Sequence, residues 1–366
     1  MHIQLCDLKA NYLSMKPDID SAIARVIDNS SYIMGKEVAA FEDSYAAYCG
    51  TKHCVGVSNA TAGLFLALKA IEIRPGDEVI LPTFTVTADI EAVIMAGGIP
   101  ILCDTNETGN ITVDEIKRNI TEKTVAIICV HMFGIPCDIK AIKDFADTKG
   151  IYVIEDCSHA HGVSVDGKRL GSIGDIGVFS FFPSKVLGSF GDAGAVVTNI
   201  DEYGTKIRAL RDHGRMPKAK YTHEYAGYNM RLDGLQAAIL SAKLPHLDNF
   251  VNDRRKIAKY YYGVLNKKYV TPIYNENSAN YIFAIRVKNR DKLAEYLKEN
   301  EISTGVHYPV PIHKQPFYER EYGKMTLPVS ERLSDEVLSL PMYPELDIVQ
   351  QRYIINAVNR WFLTND

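Results

Sequence analysis

Between Lys52 and Asn199 the chain alternates short apolar, β-rich runs with stretches whose apolar residues recur at helical spacing. The runs with strand character are residues 54–57, 79–81, 99–103, 125–130, 152–154, 177–181 and 195–198. Strands and helices in alternation are typical of a mostly parallel sheet with helices on both faces. In such sheets ligands bind beyond the carboxyl ends of the strands. The sequence therefore predicts an α/β fold with a site along that edge.

A chain of 366 residues is long for one hydrophobic core, so two domains are expected. A helical region from Leu232 to Lys268 is predicted to carry the chain out of the first domain. Beyond it, a strand pattern at 281–287, a helix pattern at 290–300 and Pro-rich loops at 308–317 indicate a smaller α+β unit. We predict a large domain over residues 31–250 and a small C-terminal domain over 251–366, with residues 1–30 packing on the small domain.

Composition narrows the class of protein further. The net charge of −4 does not indicate binding to nucleic acid or to an anionic membrane. No apolar run approaches the roughly 18 residues that span a bilayer, and the first residues lack a basic segment followed by an apolar one. The seven cysteines are scattered without a C-x-x-C pair, which is typical of reduced thiols. We expect a cytoplasmic protein without nucleic-acid or membrane partners.

The segment F-S-F-F-P-S-K ends at Lys185 and follows an apolar strand, in a loop crowded with Gly and Pro. A loop at a strand end can present a desolvated amine, which is a better nucleophile than a solvated one. Taken alone, the segment fits a solvated loop lysine equally well.

The segment E-D-C-S-H-A-H-G places Asp156 at the end of another apolar strand. A carboxylate there can hold a protonated pyridine nitrogen, which makes the ring a better electron sink. Capping of a helix is the alternative role for Asp156. The spacing of Cys157, His159 and His161 matches no usual zinc pattern, and no second cysteine pair completes one, so we predict no metal site.

The segment V-S-N-A-T-A-G from Val57 to Gly63 turns a strand into a helix through small polar residues. Free backbone N–H groups at a helix start can bind phosphate, and Thr61 can add its hydroxyl. A plain N-cap is the alternative.

Together and in this order, these segments resemble the DegT/DnrJ/EryC1/StrS family of sugar aminotransferases, which have fold type I and depend on pyridoxal phosphate. The resemblance covers nearly the whole chain, and the F-S-F-F-P-S-K and E-D-x-x-H-A-H-G elements are specific to the family. It extends through I-M-G-K-E-V-A-A-F-E ending at Glu42, L-R-D-H-G from Leu210, G-Y-N-M-R from Gly227 and T-G-V-H-Y-P-V-P from Thr304. It implies a large domain with a mixed, mostly parallel seven-stranded sheet and a smaller α+β domain.

The resemblance also implies catalytic roles. Lys185 would carry pyridoxal phosphate as a Schiff base and then shuttle a proton, with pyridoxamine phosphate as the alternate cofactor form. Asp156 would pair with the pyridine nitrogen, and His159 would lie near the O3′ atom of the cofactor.

Phosphate binding is implied for Thr61, for the amide of Ala62 and for Ser180. Asn229 would reach the phosphate in the neighbouring subunit, which implies a homodimer with shared active sites. Arg231, His307 and Tyr308 match segments that contact substrate.

Two departures from the family pattern stand out. Relatives carry an aromatic residue that stacks on the cofactor ring where this chain has Val86, so either Val86 covers the ring or Phe84 contributes. The phosphate loop contains N-A-T-A where many members have N-G-T-D. Neither change removes an atom that the chemistry needs.

The implied reaction moves an amino group from L-glutamate or glutamine to a keto-sugar, most simply a nucleotide-linked 3-keto or 4-keto-6-deoxy sugar of cell-surface polysaccharide or antibiotic synthesis. Three alternatives stay open: a ketocyclitol acceptor, a dehydratase using pyridoxamine phosphate, and a non-catalytic homologue that binds cofactor or sugar. Dehydratase relatives replace the lysine with histidine, so Lys185 opposes that alternative.

Overall fold

A computed structural model describes residues 2–216 and 221–365. The strands are β1 (His53–Val57), β2 (Glu78–Pro82), β3 (Ile99–Cys103), β4 (Thr124–Val130), β5 (Tyr152–Asp156), β6 (Ser164–Val165), β7 (Lys168–Arg169), β8 (Ile176–Ser180), β9 (Gly194–Thr198), β10 (Thr271–Ile273), β11 (Phe283–Arg286) and β12 (Val337–Leu340).

The helices are α1 (Leu8–Ser14), α2 (Lys16–Asp28), α3 (Lys36–Cys49), α4 (Ala60–Ala70), α5 (Ala88–Ala96), α6 (Val113–Asn119), α7 (Ile139–Asp147), α8 (Asp201–Leu210), α9 (Gly234–Lys243), α10 (Leu247–Val264), α11 (Arg290–Glu299), α12 (Pro316–Tyr322), α13 (Pro328–Glu336) and α14 (Ile348–Asn365).

The large sheet has seven strands in the order β1-β9-β8-β5-β4-β2-β3. All its neighbours are parallel except at β9, which runs antiparallel to both β1 and β8. Each predicted strand is present, with its ends shifted by at most two residues. The predicted α/β class with a mostly parallel sheet is confirmed.

Both faces of this sheet are buried, which explains why its strands read as continuous apolar runs. In β4, Ile127 and Cys129 point into the core beneath α3, α7 and α9, while Ala126 and Ile128 point into the core beneath α4, α5 and α8. Successive residues of a strand face opposite sides, so one strand serves both cores. The sheet is thereby held rigidly, and its carboxyl edge is a fixed platform.

A second, antiparallel sheet in the order β10-β11-β12 has its own core with α10, α11 and α14. The predicted strand at 281–287 and helix at 290–300 correspond to β11 and α11. The predicted helical region from Leu232 to Lys268 is two helices, because Pro245 lies in a 3-10 turn between α9 and α10. Proline lacks the N–H that a continuous helix would need.

The first residues contact both units. Ile3 pairs with Ile302 and lies in the core of the smaller unit. Helix α2, in contrast, packs Ala22 and Val26 against Ala238 of α9. The domain boundaries at residues 30 and 250 stay a prediction, and the contacts of residues 2–30 are divided between the two units rather than confined to the small one. Within the described residues, none of the helices has the length and apolarity to cross a membrane.

Candidate active site

A cavity of about 520 Å³ opens at the carboxyl edge of the large sheet. Strands β5 and β8, the start of α4 and the loop after β2 supply much of its wall. Eight of the predicted site residues line it, namely Thr61, Val86, Asp156, His159, Ser180, Lys185, His307 and Tyr308. Segments far apart in sequence therefore meet at one place, as expected for ligand sites in this kind of sheet.

The amine of Lys185 projects into this cavity from the loop after β8. Its backbone N–H donates to the carbonyl of Phe182 at 2.8 Å, which closes a tight turn. The Nζ atom lies 4.3 Å from the ring centroid of Tyr281, within range of a cation–π contact. The Tyr281 hydroxyl is 3.1 Å from Ser184 Oγ.

Tyr281 was not among the sequence candidates. It precedes β11 in the smaller unit, and no local motif marks it. Only the packing of the two units brings this ring to the lysine.

Asp156 ends β5, next to the strand that leads to Lys185. Its side chain is buried, and Oδ1 accepts a hydrogen bond from the backbone N–H of Ser158 at 2.8 Å. Because β5 lies between β4 and β8 in parallel register, the position of this carboxylate is set by the sheet. The site thus presents an amine and an acid on adjacent strand ends.

His159 is buried and lies against Tyr281, with ring centroids 4.5 Å apart. Burial, followed by the nearby Lys185 and His307, holds the pKa of His159 well below its usual value, so the imidazole is neutral. Its Nδ1 has no hydrogen-bond partner among the described residues.

His161, two residues on, has a different role. Its Nε2 donates to the carbonyl of Ser180 at 2.9 Å, and Nδ1 accepts from the Tyr45 hydroxyl at 3.0 Å. Burial lowers the pKa of His161 to about 3, which agrees with this neutral tautomer. The ring therefore anchors the end of β8 instead of facing the cavity.

The phosphate end of the cavity is formed where α4 begins. Asn59 caps this helix, and its Oδ1 accepts from the Ala62 N–H at 2.8 Å. The predicted amide donor Ala62 is thus already engaged, whereas Thr61 and Ser180 line the cavity. A Cβ at Gly194 would lie 2.6 Å from the backbone carbon of Asn59, so glycine is required for β9 to approach this loop so closely.

Val86 and Phe84 were alternatives for covering the cofactor ring. Val86 lines the cavity and is 39% exposed, whereas Phe84 is fully buried and packs against Phe133 and Tyr308. Of the two side chains, Val86 is the one that faces the cavity.

His307 and Tyr308 close the cavity from the smaller unit. The Nδ1 atom of His307 is 2.8 Å from Ser339 Oγ. Burial and then Lys185 lower the pKa of His307 to about 4, so this imidazole is neutral as well. Burial, followed by Tyr281 and Asp89, raises the pKa of Tyr308 above its usual value, so its phenol keeps its proton.

Asn229 and Arg231 do not line the cavity within this chain. Asn229 is exposed, and its backbone pairs with Asp212. Arg231 Nη1 lies 3.0 Å from Asp212 Oδ1. The roles predicted for these two residues stay predictions.

The cavity suits the cofactor expected from the sequence. Ser158 Oγ and His159 Nδ1 are buried there without a hydrogen-bond partner among the described residues. Buried polar atoms are nearly always hydrogen-bonded, so these two indicate a polar ligand. The Asp156 carboxylate can pair with a ring nitrogen, and the Lys185 amine can react with an aldehyde. The hydroxyls of Thr61 and Ser180 can bind a phosphate.

Among the described residues, potential metal ligands converge at His131, Glu155 and Cys157, whose ligand atoms lie within 4.8 Å of one another. Glu155 accepts the N–H groups of Ile173 and Gly174 and pairs with His131 Nε2 at 3.1 Å. His131 Nδ1 accepts from the Cys137 N–H at 3.1 Å. These hydrogen bonds account for His131 and Glu155 as parts of a structural network behind the site.

Comparison with known proteins gives matches over almost the whole chain. The DegT/DnrJ/EryC1/StrS aminotransferase family matches residues 14–359. The dTDP-3-amino-3,4,6-trideoxy-alpha-D-glucose transaminase of Streptomyces venezuelae is 39% identical over 98% of this chain and 96% of its own. A pleiotropic regulatory protein of Geobacillus stearothermophilus is 40% identical over 99% of both chains. The crystal structure of S. venezuelae DesV with a ketimine intermediate superposes with a TM-score of 0.94, at 38% identity and 98% coverage of both chains.

Proposed function

The chain belongs to the DegT/DnrJ/EryC1/StrS aminotransferase family, and from that premise we propose that it transfers an amino group from L-glutamate or glutamine to a nucleotide-linked keto-sugar. The observation that carries this proposal is the cavity in which the amine of Lys185 and the carboxylate of Asp156 face one space. An amine and a buried acid in that arrangement are what amino transfer through pyridoxal phosphate requires.

Pyridoxal phosphate, when bound, supplies an electron sink for the electrons left when the donor carbon loses its proton. Lys185 is the residue that would hold the cofactor, and its freed amine would move that proton as a positioned general base. Asp156 would keep the ring nitrogen protonated, since a buried carboxylate stabilises a cation beside it.

The other cavity residues would bind and orient the cofactor. Thr61 and Ser180 offer hydroxyls where the helix α4 begins, and a helix start favours an anionic group. His159 is neutral, so it can hydrogen-bond a ring hydroxyl without adding charge. Tyr281 lies against the amine of Lys185, and Val86 would cover one face of the cofactor ring.

The acceptor is proposed to be a 3-keto or 4-keto-6-deoxy sugar carried on a nucleotide. The Streptomyces relative is named for a 3-amino dTDP-sugar, which favours the 3-keto position. A ketocyclitol acceptor is the alternative within the same chemistry.

Regulation is the second candidate function, since the Geobacillus relative is named a regulatory protein. A regulator would bind cofactor or sugar without turning over. Lys185, Asp156 and Ser180 together in one cavity support catalysis instead.

We further propose a homodimer in the cytoplasm. Asn229 is exposed in the isolated chain, where a partner's cofactor can reach it. The seven cysteines are free thiols, and thiols stay reduced in the cytoplasm.

A panel of nucleotide-linked 3-keto and 4-keto sugars, together with a ketocyclitol, tests the acceptor. Each is incubated with the protein, pyridoxal phosphate and either glutamate or glutamine, and products are weighed by mass spectrometry. The proposal predicts an amino sugar from one nucleotide-linked acceptor. Amination of the ketocyclitol alone, or of no acceptor at all, would contradict it.

A further inference from the structure

A second acid lies beside the site, in the first turn of α5. Asp89 is fully buried, and its Oδ2 accepts a hydrogen bond from the Thr85 hydroxyl at 2.7 Å. The other oxygen, Oδ1, is buried and has no hydrogen-bond donor among the described residues. A buried carboxylate oxygen without a donor would be costly, so this oxygen needs an explanation.

Thr85, whose hydroxyl donates to Asp89, lines the same cavity as Asp156, and the charge of Asp156 acts on the Asp89 carboxyl. Lys185 and the phenol of Tyr308 also act on Asp89 from the other elements packed around it. Burial first, and then the charge of Asp156, raise the pKa of Asp89 well above its usual value. Two buried carboxyl groups this close do not both ionise.

The neighbouring bonds indicate which acid keeps the shared proton. Asp156 Oδ1 already accepts a hydrogen bond from the Ser158 N–H. Asp89 receives only the Thr85 hydroxyl, at Oδ2. A proton on Asp89 Oδ1 would turn this unpartnered oxygen into a hydrogen-bond donor available to Asp156.

We propose that Asp89 is a positioning residue that stays protonated and donates a hydrogen bond to Asp156, holding that carboxylate in the orientation that meets the ring nitrogen of the cofactor. The role of Asp156 in this inference rests on the proposed function. The protonation of Asp89 does not depend on that function. The pair then carries one negative charge, which matches the single positive charge of a protonated ring.

The location of the proton is tested on the protein without cofactor. Infrared difference spectra at neutral pH compare the natural protein with Asp89→Asn and Asp156→Asn. We expect the C=O band of a buried protonated carboxyl to vanish in Asp89→Asn and to persist in Asp156→Asn. Loss of the band in Asp156→Asn, or its absence from the natural protein, would overturn the assignment.

The positioning role is tested on the loaded enzyme with two variants of similar shape. Asn can donate through Nδ2, so Asp89→Asn should keep kcat within about threefold, whereas Asp89→Leu should lose roughly tenfold to a hundredfold, the range for a hydrogen bond to a charged group. KM for the amino donor should stay unchanged in both. Equal losses in Asn and Leu would refute the donor role. A natural protein without turnover would refute the proposed function and leave the infrared result standing.

Discussion

A second lysine, Lys243, allows the assignment of Lys185 as the cofactor-binding residue to be tested against an alternative. Lys243 is buried, and burial lowers its pKa to about 8, but its Nζ donates to the Gly188 carbonyl at 2.6 Å and does not line the cavity. After incubation with pyridoxal phosphate and reduction with borohydride, the label is therefore expected on the peptide of Lys185. Peptide mapping checks this, with Lys243→Ala labelled as strongly as the natural protein. A label retained in Lys185→Ala would show that the cofactor is held elsewhere.

Asp156 and Asp192 both line the cavity, which offers a controlled comparison. Asp156→Ala removes the carboxylate that would keep the ring protonated, so turnover is expected to fall on the order of 10²–10⁴-fold, the range for a positioned catalytic group. Cofactor affinity should change much less. Asp192→Ala should keep most of the activity, because Asp192 is exposed to solvent whereas Asp156 is buried. Near-normal turnover in Asp156→Ala would remove Asp156 from the mechanism.

At the residue scale, the local patterns placed Lys185 and Asp156 at strand ends, but their roles followed only from the family resemblance, because each segment alone fitted another role. Tyr281 and Asp89 carry no such signal. Tyr281 reaches the lysine only when the smaller unit docks. Asp89 sits in an apolar helix pattern, and its importance arises from its distance to Asp156 in the folded chain. Only the folded structure shows that Val86, and not Phe84, faces the cavity.

At the scale of elements, helix α3 is tied to strand β1 by a buried charge. Glu42 accepts the Gly56 N–H at 2.9 Å and forms ion pairs with Arg208 and with the fully buried Arg211. Glu42→Ala leaves Arg211 without its carboxylate, so we expect a loss of about 3–5 kcal/mol in the free energy of unfolding.

The same helix supplies the control. Glu37 pairs with Arg25 at 2.8 Å, but Arg25 is half-exposed, so Glu37→Ala should cost only about 0–1 kcal/mol. Urea denaturation of both variants gives the comparison. Equal losses in the two would show that the Glu42 cluster adds no special stability.

The end of β8 depends on His161 being neutral, which predicts a dependence on pH. Its pKa of about 3 in the folded chain lies below the ordinary value of 6.5. Between these values the unfolded chain binds one more proton than the folded chain. The stabilising contribution is therefore complete above about pH 6.5 and falls by about 1.4 kcal/mol per pH unit below it.

Denaturation at pH 7.5 and pH 5 tests this sign. The natural protein should lose about 2 kcal/mol more than His161→Phe over that interval, since phenylalanine does not titrate. His223→Phe, at an exposed site, should follow the natural protein. The same pH dependence in natural protein and His161→Phe would contradict the assignment.

The elements of the large sheet were predictable because strands buried on both faces must be apolar throughout. The β6–β7 hairpin was missed, since two-residue strands are too short to leave a periodic pattern. The predicted helical region after Leu232 is interrupted at Pro245, which lacks the N–H that a continuous helix would need.

At the scale of the whole molecule, the family resemblance predicts active sites shared across a dimer interface, and Asn229 is exposed in this chain, as that role requires. Such an obligate interface should bury more than about 2,000 Å² in total. Lys185→Ala and Asn229→Asp chains, each inactive alone, are mixed under subunit exchange. Two-fold symmetry then gives mixed dimers with one doubly altered site and one intact site, so part of the activity should return.

The control mixes Lys185→Ala with Lys185→Arg, a pair that no arrangement of shared sites can restore. Absence of recovery in the first mixture would mean that each chain builds its own site and that Asn229 acts only locally. A contact between two copies cannot be derived from one chain's sequence pattern, so this prediction depends on the family resemblance.

We expect this molecule to carry nitrogen from an amino acid to a keto-sugar in two separate steps. The protein with pyridoxal phosphate is first treated with ¹⁵N-labelled glutamate, freed of unbound amino acid, and then given the nucleotide-linked keto-sugar accepted in the panel. We predict an amino sugar containing ¹⁵N, in an amount that approaches one per active site. Bound cofactor that never changes, or that reacts with glutamate and yields no labelled sugar, would contradict the account.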